Sequence, residues 1–287
     1  MYVFIVNPAA GSGRAGKAIP MIEAAMRERN LEFSILLTER PGHATDLARQ
    51  AAEKGCQSVI AVGGDGTAYE VACGLMDSGV PLGIIPVGTG NDFIKTVGIP
   101  KDAGKALDFI LSHQARPVDV GRLNDRLFLN VSGTGFDVQV LECMEAAKKV
   151  CHGIWPYLIG IVRGIFRYRA VHVEWSVDGT TKEQDVLLCA VANGRFIGGG
   201  IPICPIAEPD DGLLDLIVVE HKPRWMIPFY LPGLLMGKVL TFPFTTHQRC
   251  QSVTMKSAGM HLNIDGEVQA MDEVSFSVMP GRLMLHW

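Results

Sequence analysis

Val59-Ile60-Ala61-Val62-Gly63-Gly64-Asp65-Gly66-Thr67-Ala68-Tyr69 is the stretch that decides the fold. Four apolar residues rich in β-branching read as a buried strand, a glycine-rich turn follows, and a helical pattern starts near Ala68. Glycines at 63, 64 and 66 let the backbone approach a ligand where the unpaired N–H groups of a helix start are aimed, which makes a phosphate cradle. A carboxylate at its centre repels phosphate unless a cation or a hydroxyl donor mediates. Asp65 is therefore either a turn former or a catalytic group near magnesium.

The same layout recurs on both sides. Leu82-Gly83-Ile84-Ile85-Pro86 leads into Gly88-Thr89-Gly90-Asn91-Asp92, and Tyr2–Val6 leads through Asn7-Pro8-Ala9-Ala10 into Gly11-Ser12-Gly13-Arg14-Ala15-Gly16-Lys17-Ala18. This last run fits two phosphate-binding patterns, neither well. Asn7–Ala10 separates it from its strand, against a dinucleotide fingerprint, and Ala18 stands where a P-loop needs a hydroxyl. Strands near 2–6, 31–37, 57–62 and 82–86 alternate with helices near 17–29, 43–53, 67–77 and 102–112, the order of a parallel sheet covered by helices. Asn30 and Gly55 read as helix stops, and Ile99-Pro100 separates two short helical pieces. Loops at successive strand ends lie along one sheet edge, where open α/β sheets bind ligands.

After about Gly121 the pattern changes to strands with tight turns: Leu127–Val131, Val171–Val177, Val186–Val191, Leu213–Val219, Ser252–Met255, His261–Ile264 and Val274–Val278. Asp178-Gly179 signals a hairpin. Helices interrupt at 137–168 and 224–240. The expectation is an α/β domain over 1–121, to which 279–287 can return, and a mainly antiparallel, β-sandwich-like domain over 122–278.

Composition bounds the function. The 287 residues carry 26 basic and 30 acidic side chains, a net charge of -4, which argues against a nucleic-acid binder. The 32 glycines exceed the roughly 20 that an average near 7% would give, so their placement in loops carries information. Cys56, Cys73, Cys143, Cys151, Cys189, Cys204 and Cys250 are scattered, with no Cys-x-x-Cys pair, and read as small core residues of a reducing compartment. The N-terminus has no signal-peptide pattern, so a cytoplasmic location is expected. The apolar stretches Val150–Val162 and Trp225–Gly237 are shorter than the roughly 20 residues that cross a bilayer, so no transmembrane segment is expected.

Asn7-Pro8 with Gly11, Gly63–Thr67, and Pro86–Phe93 together resemble the diacylglycerol kinase catalytic-domain family of lipid kinases in its compact bacterial form. The similarity continues through Gly133-Thr134-Gly135-Phe136-Asp137, Asn193-Gly194 to Gly200, Pro209–Asp215 and Asp265-Gly266-Glu267, covering nearly the whole chain in order. The resemblance implies an α/β domain of the NAD-kinase and phosphofructokinase type, a β-sandwich-like domain, and an active site where they meet. It implies transfer of the γ-phosphoryl group of ATP to the hydroxyl of a lipid such as diacylglycerol, in phospholipid metabolism. By motif position Asn7, Pro8, Ala9, Ala10, Gly11, Thr38, Gly63, Gly64, Asp65, Gly66, Thr67, Ala68, Tyr69 and Thr89 line the ATP site. A structural Mg2+ is implied at Asp211 with main-chain oxygens of Glu208 and Leu213, a hard-oxygen set, and Asp215 supports it electrostatically.

Asp265 and Glu267 stand two apart, which in extended chain points both carboxylates the same way. The resemblance makes Glu267 the proton acceptor for the lipid hydroxyl, with Asp65 as competitor. The partner is a lipid at an anionic membrane surface, met peripherally; a homodimer is one admissible assembly. Arg163, Arg167 and Arg169 after Trp155 and Tyr157, and Lys222 and Arg224 before Trp225, Phe229 and Tyr230, fit such a surface, while two core-packed helices with solvated basic ends fit the same residues. A soluble-substrate kinase of the NAD kinase type and a catalytically silent nucleotide sensor are the alternative functions.

Overall fold

The computed structural model describes residues 1–148 and 155–287, with side chains described outside 145–158. Cys151 and His152 lie outside the described residues, as do the side chains of Trp155 and Tyr157. Two compact units are present: Met1–Val120 with Pro209–Asp211 and Met279–Trp287, and Gly121–Glu208 with Gly212–Val278.

The first unit runs β1 (Tyr2–Val6), α1 (Ala10–Glu28), β2 (Phe33–Leu37), α2 (His43–Glu53), β3 (Ser58–Gly63), α3 (Asp65–Leu75), β4 (Leu82–Pro86), α4 (Asp92–Thr96) and α5 (Ala103–Ser112). The strands pair in parallel in the order β2-β1-β3-β4. β3 and β4 are buried along their whole length, as strands covered by helices must be. Phe4, Ile5, Ile60 and Ile85 on the strands and Ile22, Met26, Leu107 and Ile110 on the helices are all fully buried. Asn30 and Gly55 take the left-handed conformation that stops their helices.

The second unit, which takes in only residues 121–123 of β5 and 273–278 of β17, continues with β5 (Ala115–Leu123), β6 (Arg126–Phe128), β7 (Val131–Gly135), α6 (Phe136–Lys148), α7 (Trp155–Arg167), β8 (Val171–Val177), β9 (Thr180–Ala192), β10 (Phe196–Ile197), β11 (Ile201–Pro202), β12 (Leu214–Glu220), α8 (Ile227–Leu235), β13 (Thr245–Cys250), β14 (Ser252–Lys256), β15 (His261–Ile264), β16 (Glu267–Ala270) and β17 (Glu273–His286). Its antiparallel order is β16-β15-β7-β9-β8-β14-β17, with β12 and β13 added on β9. Val173, Trp175 and Val177 alternate inward on β8 and pack with Phe128, Met255 and Phe276. Leu188, Ile217, Val219 and Phe244 form a second cluster.

One strand expectation is corrected, and one strand was not expected. Leu127–Val131 is not one strand: Leu129 and Asn130 interrupt it, their N–H groups held by the Asp265 carboxylate at 2.6 and 3.0 Å. β5 was hidden by Pro117, Asp119 and Gly121, yet Gly121 is needed because a Cβ there would run into the Phe128 ring on the paired strand.

At the C-terminus Leu285 pairs with Leu82 of β4. His286 bridges the Ser58 hydroxyl (2.7 Å) and the His113 carbonyl (2.9 Å). Burial pushes its pKa below the ordinary 6.5, against a smaller rise from the His113 bond. A depressed folded-state pKa means stability present above 6.5 and lost as pH falls through the folded value. Thermal melts should therefore show a lower Tm below pH 6.5 than at neutral pH, and His286→Gln should flatten that dependence.

Candidate active site

In the first unit the glycine loops follow β1, β3 and β4 and are bonded to one another. Asn7 donates its N–H to Val62 (3.1 Å) and its amide Nδ2 to the buried Thr67 hydroxyl (3.4 Å), joining the first loop to the second. Gly11, Ser12 and Gly13 have φ of 61, 58 and 85°, so α1 is regular only from Arg14. A side chain at Gly11 would collide with the Val87 carbonyl, so glycine permits contact with the third loop. Arg14 spans the same gap, donating to the carbonyls of Gly11 (2.9 Å) and Gly88 (3.3 Å). The Gly63 carbonyl accepts from Val87 (2.9 Å) and Gly88 (3.3 Å), which joins the second loop to the third.

Asp65 completes this lattice. Its Oδ2 accepts from the Asn91 N–H at 2.5 Å and its Oδ1 from the Asp92 N–H at 2.8 Å, so it caps the start of α4 from a different loop. Gly90 leaves room for the carboxylate, since a Cβ there would lie 2.7 Å from Oδ2. Burial, and next the charge of Asp92, push the Asp65 carboxyl above the usual range, while N–H bonds from Asn91, Asp92 and Phe93 offset part of the rise. Asp92 is itself paired with Lys95 at 2.8 Å, and Lys95 also donates to the Gly90 carbonyl at 2.9 Å.

Pro8, Ala9, Gly66 and Thr89 are exposed, and Ala10, Gly64 and Tyr69 half-buried. Thr38 donates its N–H to Val6 (2.9 Å) beyond β2. Ala68 is buried and its N–H already meets the Gly64 carbonyl (3.1 Å), so it contributes packing.

In the turn after β11, Glu208 is exposed, Asp211 and Leu213 are half-buried, and Gly212 has φ 74°. Buried Asp119 anchors this turn: its N–H donates to the Pro209 carbonyl (2.7 Å) and its Oδ1 accepts from Gly281 (2.8 Å). A carboxylate with main-chain carbonyls is an oxygen-only donor set that suits a hard cation such as Mg2+, so these residues fit the implied ion. Asp215 faces other partners: Asp215 Oδ1 is 2.6 Å from His247 Nε2 and 3.6 Å from Arg249 Nε. Donor atoms of Cys204, Asp215 and His247 lie within 4.8 Å of one another, a grouping that the cysteine spacing in the sequence did not announce.

The second unit holds the Asp-Gly-Glu motif in the turn between β15 and β16. Asp265 and Gly266 have φ of 47 and 100° and Ile264 pairs with Glu267, so the motif is a two-residue hairpin turn. The expectation that the two carboxylates point the same way fails because this turn reverses the chain. Asp265 accepts from the N–H groups of Leu129, Asn130 and Val131 at 2.6, 3.0 and 3.0 Å. Glu267 extends outward, its side chain 72% exposed and paired with Arg126 at 3.0 Å. The turn is braced by Asn263, which accepts from the Gly266 N–H (2.8 Å) and donates to the buried Asp137 (3.0 Å), whose carboxyl burial holds above the usual range.

Sequence reasoning missed Arg14, Asp92, Lys95 and Asp119. The first three flank glycine loops and could have been found from that adjacency. Asp119 gave no signal, because its partners are distant main-chain groups.

Residues 1–123 match the diacylglycerol kinase catalytic domain, and residues 130–286 the YegS C-terminal NAD kinase beta sandwich-like domain. The chain is 36% identical over 270 residues to the Pseudomonas aeruginosa protein named Probable lipid kinase YegS-like, covering 92% of this chain and 87% of that one. It is 29% identical over 288 residues to the Mycobacterium tuberculosis protein named Diacylglycerol kinase, covering 98% and 93%. A crystal structure of a diacylglycerol kinase from Bacillus anthracis str. Sterne superposes with a TM-score of 0.73 at 25% identity, covering 100% of this chain and 96% of that one.

Proposed function

Because the chain belongs to the diacylglycerol kinase catalytic-domain family, we propose that it transfers the γ-phosphoryl group of ATP to the hydroxyl of a lipid such as diacylglycerol, with Mg2+, in phospholipid metabolism. The observation that carries this reading is the set of three glycine loops, mutually bonded through Asn7, Gly63 and Asp65, at the ends of parallel strands. Phosphoryl transfer depends on positioning and charge neutralisation more than on covalent help, and a lattice of fixed N–H groups supplies positioning.

In this reading the first and second loops hold the phosphates, with Thr38, Tyr69 and Thr89 completing the nucleotide site. Asp65 sets the third loop against the second. Glu267 accepts the proton of the lipid hydroxyl, which suits an exposed carboxylate better than one whose two oxygens already hold backbone N–H groups. Asp211, with the carbonyls of Glu208 and Leu213, would hold Mg2+, which neutralises charge on the phosphates.

The lipid would be reached from the cytoplasmic face of an anionic membrane, peripherally: no described helix is long and apolar enough to cross a bilayer. A soluble substrate such as NAD has no need of the apolar segments near Val150–Val162 and Trp225–Phe244, and a silent sensor has no need of Asp65, Asp211 and Glu267 together.

Labelled ATP offered with a panel of lipid micelles and with NAD tests the reading. Label in a lipid is the expected result, and label only in NAD overturns it. Asp211→Ala is expected to lower both Tm and turnover and to abolish the stabilisation by Mg2+, which for an ion at 100 times its Kd is about 2.7 kcal/mol and is read as a rise in Tm. A melting response to Mg2+ equal to wild type rejects Asp211 as a ligand.

A further inference from the structure

Among the described residues, nothing covers the exposed aromatic and basic face of the second unit. One side of α7 packs on α6: Ile161 is buried, and Gly160 and Gly164 sit so close to Val140 that a Cβ would lie 3.0 Å from its carbonyl oxygen and 2.9 Å from its side chain. The other side carries Val162 and Phe166, four residues apart and 53% and 72% exposed, beside exposed Arg163 and Arg167. Trp225 and Phe229, 67% and 75% exposed, extend the apolar surface, and Arg224 joins the segments by donating to the Phe166 carbonyl at 3.3 Å. Single exposed apolar residues are ordinary, but large aromatics gathered beside guanidinium groups are not.

Charge decides what can cover this face. The chain is acidic overall, with 30 acidic against 26 basic residues, yet no acidic residue occurs between Glu145 and Glu174 or between Glu220 and Asp265. Among the described residues no ion pair engages the side chain of Arg163, Arg167 or Arg169. An open cavity of about 1570 Å³ adjoins the aromatics, with Phe166, Arg167, Arg169, His221, Arg224 and Trp225 among its lining. Among its described lining residues one is acidic, Glu142, which is paired with His261 at 2.7 Å, and His172 is paired with Asp185 at 2.9 Å, so the arginines dominate the local field. A second copy packed by this same face would set arginine against arginine and offers no apolar interior for the aromatics to enter. A bilayer with anionic headgroups supplies both.

We propose that Phe166, Trp225 and Phe229 insert at the interface of an anionic bilayer while Arg163, Arg167, Arg169 and Arg224 meet its phosphates, making the end of α7 and the start of α8 the membrane-docking face. This rests on the reading of the chain as a lipid kinase and specifies which surface that kinase presents. Aromatic rings favour the headgroup depth, and each basic residue near an anionic surface adds attraction that salt screens.

The test is co-sedimentation with vesicles of phosphatidylcholine, with and without phosphatidylglycerol. The expected result is tight, salt-released binding only with phosphatidylglycerol. Replacing Arg163, Arg167 and Arg169 together by Gln should weaken it by up to about 100-fold, and Phe166→Ser with Trp225→Ser by about 10-fold. Tryptophan fluorescence of the wild type should be quenched by lipids brominated near the headgroup, and Trp225→Phe, a variant that keeps the apolar contact, should lose most of that quenching. Equal binding to both vesicle types, salt-insensitive binding shared by the arginine variant, or no binding at all overturns the proposal. So does a wild-type dimer that the serine variant dissociates without a change in vesicle binding. Wild-type transfer of label to vesicle-borne lipid is followed in parallel. Docking without transfer removes the kinase reading alone, and transfer without docking removes this proposal alone.

Discussion

Glu267→Gln is expected to lower kcat on a lipid acceptor by about 10²–10⁴-fold, the range that a positioned general base contributes. The substitution is small in every other respect. The Glu267 side chain is 72% exposed and accepts a bond from Arg126, which a glutamine oxygen can still accept. Asp265, not Glu267, holds the neighbouring backbone, so the hairpin survives. Thermal stability should therefore stay within about 0.5 kcal/mol of wild type, as for an ordinary surface change. A loss of kcat with KM for ATP and Tm unchanged separates a chemical role from a structural one. Wild-type kcat in this variant rejects Glu267 as the base, and an equal fall in Tm assigns its effect to the fold. Asp265→Asn should behave oppositely: it perturbs three backbone bonds, and loss of one buried N–H partner costs about 1–3 kcal/mol.

The sequence was most informative where local chemistry alone sets structure. The helix His43–Glu53 lies between Gly42 and Gly55, both with positive φ, and its C-terminal stop was legible from Gly55. Asp178-Gly179 makes its hairpin because both residues tolerate the left-handed region, with φ of 50 and 77°. Legibility failed where structure is set by partners far along the chain. β5 reads poorly as a strand, yet Gly121 lies beneath Phe128 and Asp119 anchors two remote loops. α4 is only 5 residues long, too short for periodicity, and is capped by a carboxylate 26 positions away. That glycine-rich loops follow three parallel strands was legible from composition and order. What each carboxylate does was not legible, because Asp65 and Asp265 both proved to hold backbone N–H groups while Glu267 did not.

Asp65→Asn is expected to lower turnover by about 10²–10³-fold, the size of effect seen when one fixed group of a preorganised site is removed. The reason is geometric as well as electrostatic. Two oxygens of Asp65 meet two N–H groups of the third loop, and an asparagine can satisfy one with its oxygen while turning its own NH2 toward the other. That mismatch costs about 1–3 kcal/mol. Against it stands relief of a buried like-charge contact, since burial and Asp92 raise the Asp65 pKa. A carboxyl with a raised folded-state pKa contributes stability below its unfolded value of 3.8, and that contribution is lost as pH rises through the raised value. At neutral pH the ionised carboxylate is thus held at a cost that asparagine does not carry, so the two effects oppose and Tm should move little. Turnover has no such compensation, because the loops either keep their register or do not. Wild-type activity should decline on acidification from above the ordinary aspartate range, as Asp65 protonates and one oxygen ceases to accept. Asp65→Asn should lose this limb of the pH profile along with its activity, and an unchanged limb would assign the titration to another group. Wild-type turnover in the variant would remove Asp65 from the site altogether.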